Sequence, residues 1–119
     1  MRRILYGLML AFAGLAASAA TLALAAPEPQ VIHLTVKRFG YSMNEITVKR
    51  GLPVVIEIVS QDVLHGFYIP DLDQRTDVEP GKVNRVAFTP EKAGRFDFLC
   101  DIFCGEGHGE VHGVLIVTD

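Results

Sequence analysis

Two thiols and an imidazole stand at four-residue steps in Cys100-Asp101-Ile102-Phe103-Cys104-Gly105-Glu106-Gly107-His108. Thiolate with imidazole is a donor set that favours copper or zinc over magnesium or calcium, and copper is the first expectation here. The glycines at 105, 107 and 109 let the backbone pass close to an ion, so three donors of one short loop can converge. His65, well upstream, is the candidate for a fourth. A competing reading of the same cysteine pair is a disulfide, the commoner fate of two cysteines in an exported protein.

The elements that must carry these donors read as strands. From Val31 onward, β-branched and aromatic residues alternate with polar ones between Gly and Pro punctuation, and no amphipathic helix is evident. Strands are expected over Val31–Phe39, Glu45–Arg50, Pro53–Val59, His65–Pro70, Val83–Phe88, Arg95–Cys100 and Gly113–Thr118, with Asp71–Asp77 as loop and Pro90–Gly94 as turn. His65 then opens a strand after the polar break Ser60-Gln61-Asp62, and Cys100 ends another, so the ligand loop joins the last two strands. Many short strands at close spacing imply an all-β Greek-key sandwich or barrel.

A chain of 119 residues accommodates one such domain. It is preceded by Met1-Arg2-Arg3 and an apolar run from Ile4 to Ala26, which reads as an export signal. Ala23-Leu24-Ala25 before Ala26-Pro27 offers a cleavage site, while an uncleaved run of about 20 residues would serve as a single membrane anchor. The expected organisation is therefore a leader or anchor helix over 1–26 and one domain over 27–119, periplasmic or on the outer face of the cytoplasmic membrane. The formal charge of −3 becomes −5 once Arg2 and Arg3 leave with the leader, and no basic cluster remains, which argues against nucleic acid as a partner. A mildly acidic surface suits a basic redox partner such as a cytochrome, although ordinary solubility is the commoner reason for it.

Three segments, Gln61-Asp62-Val63-Leu64-His65-Gly66-Phe67-Tyr68-Ile69-Pro70, Thr76-Asp77-Val78-Glu79-Pro80-Gly81 and Cys100 through His108, resemble the copper-A domain of cytochrome c oxidase subunit II. The resemblance covers nearly everything after the leader and implies a cupredoxin-like β-sandwich holding two coppers. By position, it makes Cys100 and Cys104 bridging thiolates, His65 and His108 terminal imidazoles, and Ile102 the donor of a backbone carbonyl.

The chain departs from that pattern where the family has a methionine ligand and this sequence has Val111, whose side chain cannot ligate copper. His112 is chemically a good donor, but if Val111 already begins the closing strand, alternation turns His112 away; a looser loop at Gly109 would rotate it inward. Glu110, Met43 and Glu45 are weaker candidates. There is no Trp to form an electron-entry surface, a role open to Tyr41 or Phe103, and at most one membrane helix where subunit II typically has a hairpin.

Two functions follow from the resemblance. The first is electron transfer through a dinuclear or mononuclear copper site, with a c-type cytochrome or a terminal oxidase as partner. The second is a periplasmic copper chaperone or buffer that binds Cu(I) for oxidase assembly. A metal-free sandwich closed by a Cys100–Cys104 disulfide is the remaining alternative. Nothing in the residues singles out an independent enzyme: there is no Ser/His/Asp arrangement, no phosphate-binding glycine loop and no carboxylate pair placed for acid–base work.

Overall fold

The computed structural model describes residues 27–119, together with positions 13, 14 and 16. The leader or anchor expected over 1–26 lies, those three positions apart, outside the described residues. Nine strands follow in chain order: β1 (Gln30–Lys37), β2 (Gly40–Tyr41), β3 (Glu45–Lys49), β4 (Val54–Ser60), β5 (His65–Ile69), β6 (Gln74–Val78), β7 (Asn84–Phe88), β8 (Gly94–Leu99) and β9 (His112–Thr118). They form two sheets, ordered β2-β1-β4-β7 and β3-β9-β8-β5-β6. The pairs β1/β4 and β3/β9 are parallel and the other ladders antiparallel, so the chain crosses repeatedly between layers and forms the all-β sandwich expected of it.

Alternation along the strands decides what fills the space between the sheets. On β4, Val54, Ile56, Ile58 and Ser60 face inward while Val55, Glu57 and Val59 are half-buried on the outer side. Opposite them sit Ile46, Val48, Phe67, Ile69, Phe98, Leu115 and Val117. Toward the end that carries the ligand loop, Tyr41, Phe67 and Phe98 form a three-ring cluster with centroids 5.2–5.7 Å apart. Tyr41 meets both phenylalanine rings edge to face while Phe67 and Phe98 are tilted at 35°, and aromatic pairs of these kinds add about 0.5–1.5 kcal/mol each beyond the area they bury, which stiffens this end of the core.

Two segments differ from the expectation. Asp71–Asp77, expected as loop, contains a 3-10 turn (Pro70–Leu72) and most of β6. This strand lies at the sheet edge and pairs with β5 alone, and only Val78 is buried, so Gln-Arg-Thr-Asp-Val carries almost no hydrophobic signature. The strand expected over Val31–Phe39 stops at Lys37, where Lys37↔Gly40 pairing forces a reversal through Arg38 and Phe39. Phe39 takes φ 79°, a left-handed conformation that an aromatic residue seldom adopts.

Gly113, on β9, is required by close approach. A Cβ there would strike the Phe98 ring and lie 2.5 Å from the backbone oxygen of Asn44, whereas a Cβ at Gly40 would meet nothing within 4 Å. Gly113→Ala is therefore expected to destabilise the domain by about 1–3 kcal/mol, and Gly40→Ala by less than about 0.5 kcal/mol, in urea unfolding. Equal costs at the two sites would contradict this packing.

Candidate metal centre

The donors are brought together by two strands of one sheet and the loop that closes it. His65 opens β5, Cys100 directly follows β8, and β9 begins at His112. Leu99 pairs with His112, and the Cys100 amide donates to the Val111 carbonyl at 2.9 Å, so both ends of the loop are pinned side by side. Within the loop, amides of His108, Glu110 and Val111 donate to the carbonyls of Gly105, Gly107 and His108. Gly105 and Gly107 have φ 101° and 82°, which only glycine holds without strain.

One ligand atom from each of His65, Cys100 and Cys104 lies within 4.8 Å of the other two, and all three residues are buried. His65 Nδ1 is 4.0 Å from Cys100 Sγ, and His108 Nδ1 is 3.5 Å from Cys104 Sγ, so each imidazole turns the same ring nitrogen toward a sulfur. Ile102 O is 3.1 Å from Cys100 Sγ, and the Gly66 amide donates to that sulfur at 3.3 Å. Both cysteines are free thiols, so the alternative of a Cys100–Cys104 disulfide is not what the chain forms here.

The orientation of His65 has a cause outside the donor set. Its Nε2 is 2.7 Å from Asp62 Oδ1, which directs Nδ1 into the site. Asp62 also accepts from the amides of Arg38 (2.9 Å) and Val63 (2.7 Å). Partial burial works against its charge, but donation from the Arg38 amide, His65 and the Val63 amide prevails and holds the carboxyl at a pKa of about 2. In the sequence Asp62 stands in a polar break and in the Asp-Val-x stretch before the histidine that carries the family resemblance, and neither assigned it the task of orienting His65.

His112, Glu110 and Glu45 are not among the converging donors. Val111 is buried, 1% exposed, at the place where the resemblance puts a methionine. His112, first residue of β9, is exposed and lines an open groove with Phe39, Asn44, Asp97 and Glu110. Met43, Glu45 and Glu110 are exposed. Of the two aromatic candidates, Tyr41 is buried and donates to the Gly66 carbonyl at 2.6 Å, whereas Phe103 is 80% exposed with its ring 5.5 Å from that of His108.

This nine-stranded sandwich, with a Cys-x3-Cys-x3-His loop closing two strands over a buried upstream histidine, can be set beside known proteins. A family model described as a cupredoxin-like domain matches residues 5–117. The chain belongs to the cupredoxin-like family. Cytochrome c oxidase subunit 2 of Thermus thermophilus is 32% identical over 93 residues, covering 78% of this chain and 69% of that protein. A chain of a heme-copper terminal oxidase dimer superposes with TM-score 0.67 at 28% identity, over 75% of this chain and 65% of the other. The periplasmic domain of subunit II of cytochrome oxidase from Bradyrhizobium japonicum has TM-score 0.71 at 21% identity, over 79% of this chain and 88% of that one, a likeness of fold. The chain thus spans about two thirds of the length of this Thermus protein and of the terminal-oxidase chain.

The donor chemistry fits copper. Two buried sulfurs and the buried His65 imidazole converge in an apolar surround with no carboxylate in the group, and the half-buried His108 turns Nδ1 toward Cys104 Sγ from its edge. Without a metal, burial first, and then the neighbouring Cys100, push the Cys104 thiol up to about 11 and hold it protonated. Tyr41 is pushed up as well, by burial and then by Cys100, Asp101 and Cys104. A raised folded pKa contributes stability that is complete below the unfolded value and lost as pH rises through the folded one. The metal-free domain should accordingly lose stability between about pH 9 and pH 11, where Cys104 ionises in the unfolded chain but not in the native one. Urea unfolding across that range checks this; a flat profile, or one unaltered by Cys104→Ser, would contradict it.

Proposed function

We propose that this cupredoxin is an exported electron-transfer protein whose thiolates Cys100 and Cys104 bridge a dinuclear copper centre, with His65 and His108 as terminal donors through Nδ1 and the Ile102 carbonyl as a weak donor. The observation that carries the reading is the convergence of His65, Cys100 and Cys104 within 4.8 Å, with His108 Nδ1 at 3.5 Å from Cys104 Sγ. Copper held there would accept and release single electrons.

The chain's own residues supply the rest. Donors fixed at the ends of two hydrogen-bonded strands, where three packed rings stiffen the core, keep their positions when the charge of the site changes. The surrounding core excludes water from the sulfurs, which are 3% and 5% exposed as residues. Phe103, exposed beside the half-buried His108, offers an apolar contact for a redox partner, and Glu106 and Glu110 are exposed on the same loop. Apolar contact flanked by carboxylates favours a basic partner, such as a c-type cytochrome, or docking on a terminal oxidase. The periplasmic setting named for the Bradyrhizobium relative supports export, with residues 1–26 as cleaved signal or single anchor and residues 27–119 as the working domain.

Val111 favours a second reading. An apolar side chain where an axial thioether is expected leaves one metal position with a weaker hold, as a periplasmic chaperone or buffer that delivers Cu(I) for oxidase assembly would need. His112 would fill that position only if the Val111–His112 peptide turned over, because alternation now sends it to solvent.

Substitutions separate the roles. Cys104→Ser should abolish the two-copper complement measured by metal analysis of the reconstituted protein, and full retention would overturn the thiolate assignment. Val111→Met should leave the copper count unchanged while shifting the reduction potential, measured by spectroelectrochemistry. A Val111→Met protein that differs only in how slowly it yields copper to a chelator would favour delivery over electron transfer.

A further inference from the structure

The turn between β1 and β2, residues Arg38 and Phe39, lies against the ligand loop although it belongs to the opposite sheet. Arg38 Nε donates to the Cys104 carbonyl at 3.3 Å, and its guanidinium lies over Gly105, where a Cβ would approach Nε to 3.2 Å. The Phe39 ring lies over Gly107, where a Cβ would collide with it. Two successive turn residues thus fit over two glycines of the loop. The same turn reaches the other side of the site, because the Arg38 amide donates to Asp62, whose second oxygen holds His65. Phe39 keeps its left-handed backbone, a conformation costing on the order of 1–2 kcal/mol, in the position that places its ring on Gly107.

We propose that Arg38 is a positioning residue for the ligand loop and for the potential of the metal it carries: its guanidinium holds the backbone at Cys104 while its charge disfavours the oxidised state. The second half rests on the copper reading above; the first does not. Among the described residues the guanidinium is in no ion pair, so its charge is not neutralised locally. A fixed positive charge close to a redox centre opposes loss of an electron from it and raises the potential.

The test compares wild type, Arg38→Met and Arg38→Lys. Arg38 is exposed, so its removal leaves the core intact. In the metal-free protein, amide hydrogen exchange over residues 104–108 should quicken roughly tenfold in Arg38→Met while the β8 and β9 amides keep wild-type rates, the consequence of losing one charge-assisted hydrogen bond. In the copper-loaded protein, Arg38→Met should have a lower reduction potential and Arg38→Lys, which retains the charge, a smaller decrease. Unchanged loop exchange in Arg38→Met would overturn the positioning role. An unchanged potential would overturn the electrostatic one. Should the wild type take up no copper, the functional reading fails, and the exchange measurement still decides whether Arg38 holds the loop.

Discussion

The pairing of β8 with β9 is the constraint on which the rest of the site depends. It runs from Gly94↔Val117 to Leu99↔His112, is extended by the Cys100–Val111 hydrogen bond, and leaves the chain between those residues no freedom at either end. Closing a loop of this length costs little once the ladder is formed, and the ladder is secured by what it buries: Phe98 and Leu115 are fully enclosed. Cys100 therefore emerges at a fixed point, and the one-turn fold from Gly105 to Val111 returns His108 toward Cys104. His65 enters from β5, on the far side of β8, and needs its own anchor in Asp62.

Burial at this end of the sandwich has two opposed effects. It removes the sulfurs from water and raises the pKa of the Cys104 thiol, which in the metal-free protein favours its neutral form. A soft cation displaces that proton and compensates the resulting thiolate charge, so metal affinity must rise with pH and proton release must accompany uptake. The polar groups at the site are those with partners: Asp62 has three donors, the Tyr41 hydroxyl has the Gly66 carbonyl, and the Gly66 amide faces Cys100 Sγ. Among the described residues no buried side-chain nitrogen or oxygen lacks a partner.

Much of this was legible in the sequence, for identifiable reasons. Strands with strong alternation and β-branched residues, such as Val54–Ser60, announce themselves, and the position of His65 at a strand start followed from the polar break before it. The edge strand Gln74–Val78 did not, because a strand covered on one side by a single neighbour has little reason to be apolar. The turn at Arg38–Phe39 was hidden inside an apparently continuous strand: its left-handed residue is a phenylalanine, where Asn or Gly would have signalled reversal. What escaped entirely was the meeting of that turn with the ligand loop, since contacts between Arg38 and Cys104 are set by the stacking of two sheets and leave no local pattern.

The account stands or falls on whether the two thiols share two metal ions. Electron paramagnetic resonance of the copper-loaded protein, partly oxidised and read together with the copper-to-protein ratio, tests it most directly. The account predicts two coppers per chain and a hyperfine pattern from one unpaired electron shared by both nuclei. A single copper per chain with the hyperfine pattern of one nucleus would contradict it.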